Sequence, residues 1–373
     1  MRARFSFCFS FRYLPAALAA LGLLSGCGTA TPLKAPPAVT TPAWQAPLPH
    51  AGQPGQLTAW WSQFDDPLLP ALVDEAQAAH PLLAQALARI QQARANQRVA
   101  ASAGWPTVGA NVQAQRGSTA ATNFTTVSQA SAIVDAGWEI DLFGGVRRGV
   151  EAARSRAEQA ELGWHEARVS LAADVAQTYV ALRACEATVA LYTREADSLG
   201  RSSALVQKKA DVGFEAPANA RLIQASAAQA RDRVTVQQTE CGLTVKALVL
   251  LTGADEPVLR ERLAVRTARL PKPAAFALTT LPAATLAQRP DLAAAERDLQ
   301  ASAAEVGVAD AARWPQLTIN GNLGIGLVRT GGSTSDAVTW GFGPNLSLPI
   351  FNRGRLQAQA DAARARYDDA RAG

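Results

Sequence analysis

The sequence has few of the residues from which catalytic and metal sites are built. Its three histidines, His50, His80 and His165, are far apart and lack the spacing of zinc ligands. Neither a Gly-x-x-x-x-Gly-Lys phosphate-binding loop nor a nucleophile elbow is present. We therefore expect no enzyme activity, no cofactor and no metal site, so the energy for any transport must come from a partner.

Long apolar runs and clustered charge are also missing. After the N-terminus, no apolar run reaches the roughly 20 residues of a membrane-spanning helix, although hydrophobic residues make up 48% of the chain. The formal net charge is only +5, and the basic residues are spread along the chain instead of clustered. These absences exclude a helical membrane protein and argue against a nucleic-acid partner.

What the sequence does contain is a long internal repeat. Trp105-Pro106 returns as Trp314-Pro315 about 210 residues later, and Phe143 returns as Phe351 at almost the same spacing. Each Trp-Pro pair precedes two segments in which apolar and polar residues alternate. We therefore predict two structural repeats, of which the second is incomplete. The predicted repeats are residues 69–280 and 281–373.

The alternating segments are predicted to be membrane-spanning β-strands. Their period of two places apolar and polar side chains on opposite faces, and strands of about 9–11 residues with one apolar face suit an outer-membrane barrel. A soluble β-sandwich is the second interpretation, but the long helical stretches between the strand pairs leave no second sheet to pack against. The predicted strands are Thr107–Gln115, Ala130–Leu142, Leu317–Leu327 and Val338–Ile350, in strand pairs at 107–143 and 317–351.

The N-terminus has the pattern of a targeting segment. Basic residues at positions 2, 4 and 12 precede the apolar core Leu14–Leu24, and the segment ends Leu-Ser-Gly-Cys at Cys27. This ending resembles a bacterial lipobox, which predicts a signal peptide over 1–26 and lipid attachment to the sulfur of Cys27. A chance cysteine is the alternative. Gly28, where an aspartate would retain the protein, resembles the outer-membrane sorting rule. Residues 27–68 are predicted to be a lipidated tether.

Helical patterns fill most of the remaining chain. Val146–Asp211 contains no proline and repeats small and apolar residues at coiled-coil spacing, so it predicts a helix of roughly 100 Å. Gly213 suits a left-handed C-cap, and Pro217 suits the first turn of a returning helix. Pro81 should interrupt the first helical stretch. The predicted helical regions are 69–103, the hairpin 146–251, 281–313 and 355–373, with an equatorial segment at 252–280.

Three motifs make the chain resemble the TolC-like outer membrane factors, in particular the NodT-type lipoprotein branch that serves efflux pumps. They are the Trp60-Trp61 start before Asp-Pro, the Asp-Leu-Phe-Gly of 141–144, and the Leu-Pro-Ile-Phe-x-x-Gly of 348–354. The resemblance covers residues 23–373. It implies a fold of mainly α-helix with transmembrane β-strands, in which antiparallel helical hairpins form a periplasmic tunnel. It also implies a lipid-anchored protein of a Gram-negative outer membrane with a large periplasmic portion.

The resemblance further implies partners. Family members are homotrimers that work with a periplasmic adaptor and an inner-membrane pump of the resistance-nodulation-division type. Val212-Gly213-Phe214 is similar to the family's helix-tip signature, so Lys209, Val212, Gly213 and Phe214 are candidate adaptor contacts. An ordinary helix-hairpin turn would also contain glycine and proline, and it is the alternative.

The number of strands bears on assembly. Outer-membrane barrels begin at about eight strands, which four strands cannot supply. Two copies would give eight strands and a filled interior, whereas three copies give twelve and leave a lumen. A passive conduit therefore favours a trimeric 12-stranded barrel. Asp135, Glu139 and Asp141 are predicted to face its lumen, where they would favour cations slightly.

Two of the four cysteines are placed symmetrically. Cys185 and Cys241 are equally distant in sequence from Gly213, so an antiparallel hairpin would bring them to the same height. Because the periplasm is oxidising, we predict a disulfide between them. Two buried free thiols are the alternative, since free cysteine packs as a small hydrophobic residue.

The second repeat stops early in its long helix. By comparison with the first repeat, we expect a full second repeat to contain roughly a hundred further residues, among them the hairpin that carries the gate in the family. The predicted function is the channel component of a tripartite efflux pump, which passively exports drugs or other small toxic compounds. A conduit for type I protein secretion and a non-conducting, truncated structural lipoprotein are the alternatives.

Overall fold

The computed structural model describes residues 61–118, 125–273 and 289–373. The predicted signal peptide, Cys27 and part of the predicted helix at 281–313 lie outside the described residues. None of the helices in the described ranges combines the length and the apolarity that crossing a bilayer requires.

Helices and strands follow in the predicted order, and the fold is mainly α-helical with one four-stranded sheet. The first helical stretch is divided into two helices before Pro81, as the proline predicts, because the backbone of His80 is extended. The elements are α1 Leu68–Ala79, α2 Pro81–Ser102, β1 Thr107–Gly117, β2 Val127–Ile140, α3 Gly145–Asp211, α4 Pro217–Thr252, α5 Glu256–Ala264, α6 Pro290–Ala311, β3 Gln316–Thr330, β4 Ser333–Ser347 and α7 Arg355–Ala372.

Strand boundaries differ from the predicted ones. β2 begins before Ala130 and ends before Leu142, and β4 is shifted towards the N-terminus relative to the predicted 338–350. Backbone pairing continues into polar sequence at the start of β4, where Ser333 pairs with Thr330. At the other end, Pro349 has no N–H to donate to a ladder. The apolar pattern therefore predicts which side chains share a face, whereas backbone hydrogen bonding determines where each strand ends.

The four strands form one antiparallel sheet in the order β1-β2-β3-β4. Its register aligns the apolar positions of all strands on one face, for example Ala110, Val134, Leu323 and Trp340 in a single row. Val134, Leu323 and Trp340 remain 49%, 60% and 78% exposed. Within the described residues this apolar face has no covering layer.

The chain divides into two compact units. The described part of the first contains Ala93–Ala157 and Ala295–Gly373, and so includes the whole sheet. In this unit α6 and α7 share a small apolar cluster of Leu299, Val306, Ala363 and Tyr367.

The second unit contains the described residues of Pro37–Gln92 and Glu158–Ala294. It holds the larger of the two apolar cores in the described residues, which is formed by α1, the start of α2, α3, α4 and α5. Leu171, Val175 and Leu182, which belong to the apolar residues at coiled-coil spacing in α3, lie in this core. The core also includes Leu69, Leu72, Leu248 and Leu259.

Candidate conduit surfaces

The polar face of the sheet carries two of the predicted lumen residues. Asp135 lies in one row with Gly109, Asn322 and Gly341, and Glu139 is paired with Thr318. A Cβ at position 341 would lie 3.0 Å from Asn322 Oδ1, so glycine there leaves room for the amide. This face therefore presents carboxylate and amide groups separated by glycines. That it lines a lumen stays a prediction.

Ile133, the apolar exception on the polar face, has a local explanation. It pairs with Gly324, and a Cβ at position 324 would approach the Ile133 Cγ1 atom and the Ala132 carbonyl oxygen to 2.8 Å. Only glycine permits this close approach of the two strands. Gly324 itself is buried as a result.

Asp141 does not belong with the other two candidate lumen carboxylates. It follows the last residue of β2, and its carboxylate accepts hydrogen bonds from the backbone N–H groups of Val146 (3.2 Å) and Arg147 (2.9 Å). These N–H groups are unpaired at the start of a helix, and an acidic group near them also stabilises the helix dipole. Its side chain is only 19% exposed. The structure therefore gives Asp141 a helix-capping role instead of a place on the strand face.

The tip between α3 and α4 lies where it was predicted. Gly213 adopts φ +83°, and the Phe214 N–H donates to the Lys209 carbonyl oxygen at 2.8 Å, which closes the end of α3. Phe214 is 85% and Val212 67% exposed. The Glu215 carboxylate accepts hydrogen bonds from Asn219 and from the backbone of Ala216, and these lower its pKa below the ordinary value. Two apolar side chains beside a basic helix end thus form an exposed tip.

Cys185 and Cys241 meet between α3 and α4. Their sulfur atoms lie 2.07 Å apart and their Cα atoms 5.7 Å apart, which is disulfide geometry. The amide Nε2 of Gln237 lies 3.1 Å from the sulfur of Cys185. The structure therefore brings together the pair that the spacing from Gly213 predicted. A disulfide between these two cysteines in an oxidising periplasm stays a prediction.

A buried polar network in the second unit was not predicted. Tyr179 Oη donates to the carboxylate of Asp66 at 2.7 Å and accepts from Arg183 Nη2 at 3.0 Å. Arg183 Nη1 also donates to Glu186 at 2.8 Å and to the Leu263 carbonyl oxygen at 2.9 Å. The network therefore links the segment before α1, the middle of α3 and the end of α5.

The charges in this network are buried. The side chains of Arg183 and Asp66 are 0% and 1% exposed. Burial and the hydrogen bond to Asp66 raise the pKa of Tyr179 to about 12. Burial opposes the charge of Arg183, but its hydrogen bonds to Glu186 and Tyr179 outweigh this and raise its pKa. A buried ion that has partners is retained as an ion, so the network holds three elements at a fixed position.

No group of three or more histidine, cysteine, aspartate or glutamate side chains suited to a metal ion occurs among the described residues. The candidate functional regions are three surfaces: an apolar sheet face, a polar sheet face and an exposed helix tip.

Comparison with known proteins identifies the family. The profile of the family described as outer membrane efflux protein matches residues 72–254 and 281–373. The chain belongs to the outer membrane efflux protein family. The chain is 28% identical over 361 residues to nodulation protein T of Rhizobium leguminosarum bv. trifolii, covering 92% of this chain and 74% of that protein.

Two further members of the family agree. The solvent efflux pump outer membrane protein SrpC of Pseudomonas putida is 27% identical over 377 residues, covering 96% of this chain and 78% of SrpC. The solved structure of the outer-membrane channel OprN superposes with a TM-score of 0.73 at 28% identity, covering 89% of this chain and 78% of OprN. These matches confirm the predicted fold of long helices with four strands and the resemblance to TolC-like channels. The internal repeat stays a prediction.

Proposed function

We propose that this protein is the outer-membrane channel component of a tripartite efflux pump and a passive conduit for small toxic compounds. The observation that carries the proposal is the exposed apolar sheet face in a chain of the outer membrane efflux protein family. Lipid is the solvent in which such a face is stable, because water would leave its apolar area uncompensated. The name of SrpC as a solvent efflux pump protein supports the class of substrate.

The open edges of the sheet support a homotrimer. β1 and β4 each pair with only one strand in the described part of the chain. Unpaired edge groups cannot be exposed to lipid, so the edges must pair with further strands. Edge-to-edge pairing of three copies gives twelve strands and a lumen lined by the face with Asp135 and Glu139. Crosslinking between cysteines introduced on β1 and β4 should yield a covalent trimer, and a ladder that ends at the dimer would contradict this arrangement.

The exposed tip supports contact with a periplasmic adaptor and, through it, with an inner-membrane pump. Phe214 and Val212 expose apolar side chains in a position where the folded chain gains nothing from them, and Lys209 lies in the last turn of α3. A photo-crosslinking amino acid at position 214 should capture the adaptor in cells. The same label at the exposed position Leu222 on α4 serves as the control. If the adaptor is captured equally from both positions, or from neither, the tip is not the contact site.

Lipid attachment at Cys27 forms part of the proposal, and the lipobox-like sequence supports it. Radiolabelled palmitate should enter the wild-type protein and not Cys27→Ser. Label in both proteins would show that the acyl chain is attached at another residue. Label in neither protein would leave the strands as the membrane attachment.

The function itself is tested by export. A strain that lacks its own outer-membrane efflux channel should accumulate less of a fluorescent drug when this protein is supplied together with a matching adaptor and pump. The control is Leu323→Lys, which puts a charge on the apolar sheet face. Unchanged accumulation, despite wild-type protein in the outer membrane, would refute the proposal. Rescue of the export of a secreted protein instead of the drug would favour type I secretion.

A further inference from the structure

The apolar face of the sheet ends in a polar row that contains two arginines. The register places Arg116, Ser128, Arg329 and Thr334 side by side across all four strands. Ser128 is separated from Val134, and Arg329 from Leu323, by an even number of positions along the strand. The row therefore lies on the same face as Val134 and Leu323. It lies beside the Gly331-Gly332 turn that joins β3 to β4, at the opposite end of the strands from α2, α3, α6 and α7.

Both arginines are free to bind a ligand. Arg116 and Arg329 are exposed, and within the described residues no carboxylate lies within ion-pair distance of either. Among the described strand residues, Asp336 is the acidic side chain of this face. It lies on the edge strand β4, in the next row towards the helices. Since β2 separates β1 from β3, the strand spacing puts the two arginines about 10 Å apart, with the hydroxyl group of Ser128 between them.

The other end of the same face is marked by tryptophan. Trp138 lies on this face near the helices, and its indole N–H donates to the Gly104 carbonyl oxygen at 3.0 Å. Tryptophan prefers membrane–water interfaces because one end of its side chain is apolar and the other is polar. The row of Trp138 is therefore the counterpart of the arginine row across the apolar band.

The distance between the two rows matches the thickness of an outer membrane. Along β2, ten residues separate Ser128 from Trp138, which is about 34 Å at 3.4 Å per residue. A strand tilt of about 40° shortens this to about 26 Å along the membrane normal, and the apolar band of outer-membrane barrels is about 25 Å tall. When Trp138 is at the inner interface, the arginines therefore lie at the level of the outer-leaflet headgroups.

We infer that Arg116 and Arg329 form a binding site for the phosphate groups of a phosphorylated glycolipid in the outer leaflet. Two guanidinium groups at headgroup depth are suited to two phosphates of one lipid, since arginine binds phosphate through paired N–H donors. Ser128 and Thr334 add hydroxyl donors in the same row. The inference rests on the proposed function, because it requires the sheet to lie in the outer membrane.

The test compares lipids that differ only in phosphate. The purified full chain in detergent is titrated with bisphosphorylated lipid A and with the same lipid after enzymatic dephosphorylation, and bound lipid is counted by native mass spectrometry. We expect at least tenfold tighter binding of the phosphorylated lipid by the wild type. Arg116→Gln/Arg329→Gln should reduce the difference to within twofold, whereas Arg116→Lys/Arg329→Lys should keep most of it.

The control variant Arg201→Gln/Arg221→Gln removes two exposed arginines from α3 and α4, and should bind both lipids like the wild type. Equal binding of the two lipids by the wild type would overturn the inference, as would unchanged selectivity in the glutamine variant. Complete displacement of the lipid by an equal concentration of inorganic pyrophosphate would also overturn it, because the site would then recognise a soluble anion. Failure to bind any lipid would instead refute the membrane placement of the sheet.

Discussion

Replacing Tyr179 with phenylalanine tests the buried network most directly. The change removes one hydroxyl group that donates to Asp66 at 2.7 Å and accepts from Arg183 at 3.0 Å, while the aromatic ring stays in the core. A buried hydrogen bond to a charged group contributes about 1.5–3 kcal/mol, and a buried charge left without its partner costs more. Part of this cost is offset because Asp66 and Arg183 keep other partners. We therefore expect a loss of about 2–4 kcal/mol in local stability.

Hydrogen exchange is the suitable assay, because it reports opening of one region without unfolding the whole protein. Amides of α1 and of α5 should exchange roughly 30 to 700 times faster in Tyr179→Phe, since each 1.4 kcal/mol is a factor of ten. Tyr192→Phe on the same helix is the matched control, because its ring contacts Arg233 and its hydroxyl group takes no part in the network. If the amides of α1 exchange at the same rate in both variants, the network does not hold these elements together.

The raised pKa of Tyr179 gives the same prediction a pH dependence. The folded protein binds the hydroxyl proton more tightly than the unfolded chain, whose tyrosines titrate near the ordinary 10.0. The contribution of Tyr179 is therefore fully present below pH 10 and is lost as the pH rises towards 12. The protection of α1 should fall in this window in the wild type. Tyr179→Phe should lack this part of the fall, whereas Tyr192→Phe should keep it.

The other predictions concern the sheet, the helix tip and the helix cap. Leu323→Lys should cost about 2–4 kcal/mol in membrane insertion, measured as folded protein in lipid vesicles, while the neighbouring Asn322→Lys on the polar face should fold normally. Gly213→Ala forces a side chain into φ +83° and should destabilise the tip by about 1 kcal/mol, seen as faster amide exchange at the end of α3 but not at its start. Asp141→Ala removes two hydrogen bonds from the first turn of α3 and should cost about 1 kcal/mol there; unchanged exchange at Val146 would contradict the capping role.

The sheet and the hairpin could be predicted from the sequence because both depend on local periodicity. Alternation alone assigned Val134 and Trp340 to an apolar face, and the register confirms that these faces align. Cys185 and Cys241 could be paired because α3 and α4 are both uninterrupted near the tip, so equal distances from Gly213 mean equal heights. A constant rise per residue makes this geometry predictable.

The polar network could not be predicted, because its partners are distant in sequence. Asp66 lies 113 residues before Tyr179, and the Leu263 carbonyl oxygen lies 80 residues after Arg183. The only local signal is that Tyr179 and Arg183 are one helical turn apart on α3. Asp141 differs for another reason. The alternation of polar and apolar residues continues past Ile140, where β2 ends, but an aspartate just before a helix is a typical capping residue.

The two units place their polar and apolar groups in opposite ways, and the surrounding solvent explains the difference. In the second unit, Leu69, Val175 and Leu248 are buried in a core, and even a cation, Arg183, is buried only with its partners. Such an arrangement is stable in water. In the first unit, Trp340 and Phe342 are each 78% exposed on a continuous apolar face, while Asn322 lies on the opposite face. That inversion is unfavourable in water and favourable where one face of the sheet meets lipid and the other meets a wet lumen. A single chain that follows both rules therefore needs both environments, as a conduit between the periplasm and the outer membrane does.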